Sequence, residues 1–139
     1  MIKSNKDIEQ LLYPKAIAVV GATNNPLRVG ARVIENTKRV GFAGKIYPVN
    51  PKYDELFGFK CYPSIKDIPG EVDNLWIALP NEAVIPTLEE AETKGIKIAT
   101  IYSSGWGETG PDGKQKEREL KEWVANHNIR LLGPNTIGI

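Results

Sequence analysis

The sequence predicts an α/β domain, Rossmann-like and doubly wound, with a mainly parallel sheet and flanking helices. Three observations predict it. Short apolar runs alternate with amphipathic segments along the chain, the pattern of βαβ units. The runs at 16–20 (Ala-Ile-Ala-Val-Val) and 74–79 are continuously apolar or nearly so, as suits strands buried on both faces. Turn-forming Gly, Pro, Asn and Ser residues follow these runs. The 139 residues are the size of one domain, 1–139, with enough chain to bury a core.

Taken in order, the first element is a short helix over 6–12, capped by Ser4 or Asn5 and ended near Pro14. The first strand covers 16–20. A helix over 26–40 follows, with Val29, Val33 and Val40 on one side, Ile34 beside them, and Gly41 as its stop. Residues 45–49 read as the second strand, ending around Pro48. Residues 57–63 read as a short strand or a loop, and 64–68 as one helical turn before Pro69. A buried strand over 74–79 closes at Pro80. The next helix, 82–94, carries Val84, Leu88 and Ala91 on one stripe and ends at Gly95. A strand over 96–102 leads into a Gly-rich loop over 103–113. A charged helix over 114–126 buries Leu120, Trp123 and Val124, and 130–132 is the last strand. Five or six strands with right-handed crossovers make the doubly wound sheet.

Composition narrows the function classes. With 18 basic and 17 acidic residues, the net charge of +1 supplies no long-range field to gather nucleic acid, so an anion site must be local. A single cysteine, Cys61, excludes an intrachain disulfide. No apolar run approaches a membrane span, and the start Met-Ile-Lys-Ser-Asn-Lys lacks a signal-peptide core. A cytoplasmic location and no membrane partner are expected. No metal-ligating cluster and no catalytic pair stand out.

In doubly wound sheets, ligands sit beyond the carboxyl ends of the strands, near the switch in strand order. Four loops leave strands there: 21–28, 50–53, 80–82 (with Pro80) and 103–110. In the first, Gly21 permits a tight turn. Thr23, Asn24 or Asn25 caps the next helix, and Pro26 suits its first position. Free amides at that helix start attract phosphate, Arg28 adds a charged donor, and Gly30 allows close approach. A dinucleotide fingerprint needs glycines where Thr23 and Pro26 stand. NAD binders also place an acid at the end of the second strand, where this chain has Asn50, Pro51 and Lys52. Lys52 attracts a phosphate on or near a ribose, which both coenzyme A and NADP carry.

The segments Ala18 to Thr23, Gly41-Phe42-x-Gly44-x-Ile46-Tyr47-Pro48-Val49-Asn50-Pro51-Lys52, Tyr62-Pro63-Ser64, Asp73 to Pro80, Ser103-x-Gly105-x-x-Glu108-Thr109-Gly110 and Leu132-Gly133-Pro134-Asn135 with Gly138 resemble the NDP-forming acyl-CoA synthetases. These are relatives of the succinyl-CoA synthetase α subunit. The resemblance runs nearly the whole chain, in order. It implies a CoA-binding domain that is the N-terminal portion of a longer ligase and is not catalytic by itself. The loop 23–28 would hold the nucleotide end, and Asn50, Pro51 and Lys52 the adenosine phosphates. Ser103, Ser104 and Gly105 would line the pantetheine path, with Asn135 near the reacting thiol. Trp106 stands where the family usually has Phe, and Thr136-Ile137 where Cys-Leu is frequent. The family's reaction joins a carboxylate to CoA using a nucleoside triphosphate, through an acyl phosphate and a phosphohistidine. Partner domains or a partner subunit would supply the phosphohistidine and ATP-grasp functions.

His127, near a helix C-terminus, is explained by the helix dipole and a polar surface rather than by catalysis. Cys61 reads as a buried or loop thiol. Trp76 and Trp123 read as core, Trp106 as either a ligand neighbour or a cover for the sheet edge, and Tyr53 as a candidate to stack on adenine. The competing readings are an NADP-binding oxidoreductase domain and a stand-alone CoA- or nucleotide-binding regulatory module.

Overall fold

Strand β1 (Ala16–Val20) is buried at every position because it has a strand on either side and a layer of chain on either face. Its neighbours are β2 (Lys45–Val49) and β5 (Asn74–Ile77), both parallel to it. The sheet continues through β6 (Ile98–Ile101) to β7 (Arg130–Leu132), giving the order β2-β1-β5-β6-β7 with every pair parallel. This computed structural model describes residues 5–137. Helix α1 (Asn5–Leu12) precedes the sheet, α2 (Val29–Arg39) joins β1 to β2, α3 (Val84–Thr93) joins β5 to β6, and α4 (Pro111–Ala125) joins β6 to β7. Ser4, one of the two caps expected for α1, lies outside the described residues, as does Gly138. Asn5, the other, is the first residue of α1.

The order sets the layers. Leaving β1 towards β2 and returning past β1 to β5 reverses the direction of travel, so right-handed crossovers fall on opposite faces. One face packs Leu75, Ile77, Ala99 and Ile101 against α3, α4 and the turn Ile65–Asp67 through Leu88, Leu120 and Ile65. The other packs Ile17, Val19 and Ile46 against Ile34 of α2. β2 is an edge strand, which is why Pro48 is accepted inside it rather than ending it. Among the described residues no helix is long and apolar enough to cross a membrane.

Several expectations shift. Helix α2 begins at Val29, not Pro26, and Val29 and the C-cap Val40 are exposed, while Gly30, Ala31 and Ile34 are its buried positions. Residues 57–63 contribute to a hairpin. β3 (Glu55–Leu56) and β4 (Phe59–Lys60) are antiparallel, around a turn with positive φ at Phe57 and Gly58. The helix expected from 114 starts at Pro111, so Gly113 is helical rather than loop. Of the residues this helix was expected to bury, Leu120 is buried while Trp123 and Val124 are partly exposed. Trp76 is also only partly buried.

Candidate ligand site at the carboxyl edge of the sheet

β1 and β5 flank the point where the strand order reverses, and both end at the same edge. Gly21 follows β1 with φ +84°, and a Cβ there would strike the Ala78 carbonyl beyond β5. The turn therefore needs glycine for its conformation and for the close approach of the two strand ends. Gly30, in the first turn of α2, lies against the Gly21 carbonyl with no room for a Cβ. This contact draws the start of α2 down onto the turn, where the Ala31 amide already donates to the Arg28 carbonyl at 3.2 Å and the Val29 and Gly30 amides precede any intrahelical acceptor.

The residues between the two glycines form turns rather than a cap. The Asn25 amide donates to Thr23 Oγ1 at 3.3 Å, and the Leu27 amide to Asn25 Oδ1 at 3.0 Å. Arg28 is the N-cap of α2 and its side chain makes no cap hydrogen bond. The expected capping by Thr23, Asn24 or Asn25, and Pro26 at the first helical position, are thus replaced by side-chain-stabilised turns. Asn24, Asn25, Pro26 and Arg28 are exposed and Thr23 is partly buried.

The loop after β2 is tied to this turn. Asn50 Nδ2 donates to the Ala22 carbonyl at 2.8 Å, and Asn50 Oδ1 accepts the Lys52 amide at 2.9 Å. Tyr53 reaches across as well, its hydroxyl 3.2 Å from Thr23 Oγ1 and donating to Asn24 Oδ1 at 3.1 Å. Pro51 and Lys52 are exposed beside them. Cys61 lies buried beneath, its Sγ 3.5 Å from the Asn50 carbonyl. Burial pushes its thiol pKa up, which leaves it a weak nucleophile.

The remaining loops continue the rim. Past Pro80, Asn81 Nδ2 donates to the Gly105 carbonyl at 2.5 Å, and Lys116 of α4 donates to Asn81 Oδ1 at 3.0 Å. The Gly105 amide donates to Glu108 at 2.7 Å, and that of Gly107 to Glu117 at 3.0 Å. Backbone N–H groups, its own first and then that of Gly105, hold the Glu108 carboxyl below the usual range. The Lys121 ammonium and then the Gly107 amide do the same for Glu117. Trp106 is buried at 2 % exposure and donates its indole N–H to the Ser103 carbonyl at 2.9 Å, so it anchors the loop into the core. The Asn135 amide donates to the same carbonyl at 3.1 Å, with Asn135 at φ +55°. Ser103 Oγ is buried and has no hydrogen-bond partner among the described residues. Ser104 is exposed.

All the residues expected at the site thus fall at one edge, and hydrogen bonds or close contacts run from Lys52 to Asn135. Sequence reasoning missed Asn81 and Lys116, which link three elements, and the bridging role of the Tyr53 hydroxyl. Asn81 directly after Pro80 at a strand end was the available signal for the first. His127 lies apart, stacked on Trp123 (centroids 3.8 Å apart) and 2.6 Å from Glu92. Among the described residues no group of three or more His, Cys, Asp or Glu side chains could hold a metal ion.

A doubly wound α/β sheet with its polar loops gathered at the switch point has the architecture of nucleotide-binding domains. Residues 15–139 match the family described as CoA binding domain, and the chain belongs to it. It is 47% identical over 133 residues to acetate–CoA ligase [ADP-forming] II of Archaeoglobus fulgidus, covering 96% of this chain and 20% of that protein. It is 43% identical to the acetate–CoA ligase [ADP-forming] II subunit alpha of Pyrococcus furiosus, covering 95% of this chain and 29% of the subunit. A solved structure of the dinucleotide-forming acetyl-coenzyme A synthetase 1 of Ca. Korarchaeum cryptofilum, with phosphate and ADP, superposes with a TM-score of 0.88 at 40% identity, over 96% of this chain and 28% of that one. The chain therefore spans between a fifth and three tenths of these relatives.

Proposed function

We propose that this chain holds coenzyme A along the carboxyl edge of its sheet, as the CoA-binding part of an NDP-forming acyl-CoA synthetase. The whole enzyme converts a carboxylate, CoA and a nucleoside triphosphate into acyl-CoA, a nucleoside diphosphate and phosphate. The observation that carries the reading is the rim of polar loops at one edge of the sheet, linked from Lys52 to Asn135 by hydrogen bonds and close contacts. Lys52 meets the 3′-phosphate, and Asn50 with Pro51 fixes the loop that presents it. The first amides of α2, the turn Thr23–Asn24–Asn25–Pro26 and Arg28 meet the pyrophosphate, which a helix N-terminus favours. Gly21 and Gly30 let the turn and the start of α2 pack against the strand ends, which sets those amides at the edge of the sheet. Pro80, Ser103, Ser104 and Gly105 flank the pantetheine arm, and the buried Ser103 hydroxyl supports this because it has bonding capacity to spare. Asn135 stands at the thiol end. The chain's own contribution is to bind and orient. Acyl transfer belongs to the remainder of the ligase, supplied by partner domains or a partner subunit.

The test is calorimetric titration and thermal shift with CoA, dephospho-CoA, NADP and NAD. A ligand that binds the folded state alone raises the melting temperature with its concentration. CoA should give the largest shift. A larger shift with NADP, with none from CoA at millimolar concentration, would replace this reading with an NADP site.

A further inference from the structure

The two faces of the sheet are covered unequally. Three segments (α3, α4 and the turn Ile65–Asp67) pack on one face. On the other, α2 lies over β1 and β2, and beyond it stands α1, eight residues long with no buried residue. Between α1 and α2 runs a groove of about 1000 Å³, floored by Ile17, Trp76 and Tyr102. Its rim includes Leu12, Tyr13, Val40 and Ile137, four of the seven exposed large hydrophobic side chains among the described residues. Apolar side chains concentrated in this way mark an interface. The charged side chains lining the groove are Lys15 and Lys45, both exposed, and no carboxylate lines it.

We propose that this groove seats an amphipathic helix with an apolar stripe and flanking carboxylates, contributed by the remainder of the ligase. The inference rests on the function proposed above, in which this chain is one part of a larger enzyme; its relatives are three to five times longer. A helix is the element a doubly wound sheet uses to cover a face. The lysines select an acidic partner. They also disfavour a second copy docked groove to groove, because a two-fold interface would set lysines against lysines with no carboxylate between them. Asn74 and Thr100, hydrogen-bonded to each other at 3.2 Å on the floor, are both buried, which leaves apolar contact as the main attraction. None of the CoA-site residues lines the groove.

The test uses two synthetic helical peptides of about 18 residues, about five turns, with the same leucine stripe. One carries Glu at the remaining positions and the other Lys. Calorimetry should show the Glu peptide binding about two- to thirty-fold more tightly, the size expected of two rim ion pairs. The double variant Lys15→Glu/Lys45→Glu should reverse that order, and Tyr13→Asp should weaken the Glu peptide. Equal binding of both peptides, or binding of neither, overturns the proposal. So does sedimentation showing that the free chain is a dimer that Tyr13→Asp disperses, since the occupant is then a second copy. CoA titrated into the same samples separates the two ideas. CoA binding with no peptide preference sinks the groove alone, and failure of CoA to bind sinks the ligase reading.

Discussion

Lys52 is placed by its backbone, whose amide donates a hydrogen bond to Asn50 Oδ1, while its side chain is exposed. Its side chain is therefore free to meet an incoming phosphate without breaking a fold contact. Lys52→Ala should lower affinity for CoA by about ten-fold or more, the worth of a charge-assisted hydrogen bond. Dephospho-CoA affinity should stay nearly constant, as read by calorimetry. Equal loss for both ligands would take Lys52 away from the 3′-phosphate. The sequence picks out Lys52 because the end of a second strand is a known ligand position and the charge there is unlike that of NAD binders, and the structure leaves it exposed beside the β1–α2 turn. Lys116 was not readable. It sits in a mixed-charge helix, and only the fold turns its ammonium towards Asn81 rather than solvent.

At the scale of elements, the β1–α2 connection decides the most. Pro26 preceded by Asn reads equally well as a helix start or a turn, so the sequence placed α2 three residues early. The choice is made by a contact no local pattern encodes, the seating of Gly30 on the Gly21 carbonyl. Two effects compete at Gly30→Ala. Alanine raises helix propensity by up to ~1 kcal/mol, while overpacking costs about 1–3 kcal/mol. The clash is with backbone at a strand end that cannot yield, so the net change should be destabilising. Thermal denaturation should show a lower melting temperature, and a rise would mean that α2 shifts freely and the cradle is soft. The continuous apolar runs at β1 and β5 and the Val84–Leu88–Ala91 stripe were legible for the opposite reason, since burial there follows from spacing alone.

For the molecule as a whole, three carboxylates lock α4 and the loop before it. Glu92 of α3 accepts the Asn128 amide at 2.9 Å and pairs with His127, and both contacts, the amide first, lower its pKa. Glu108 and Glu117 hold the amides of Gly105 and Gly107. All three have folded pKa values below the ordinary value of 4.5. Their contribution is thus present above the unfolded pKa and lost as pH falls through the folded ones. Hydrogen exchange corrected for intrinsic rate should show 103–128 losing protection below about pH 4.5 before the central strands do, and Glu108→Gln should weaken that acid response at Gly105. Uniform loss across the sheet would show that these carboxylates play no such local part. The bridges between the loops after β1 and β2, from Asn50 to Ala22 and from Tyr53 to Thr23 and Asn24, are made between groups of the protein itself. Loops tied together in this way would spend little of the contact energy of the ligand proposed above on reorganising themselves. Encounter then proceeds at a rate set by diffusion and orientation, and residence time, rather than the rate of capture, is where differences between ligands are expressed.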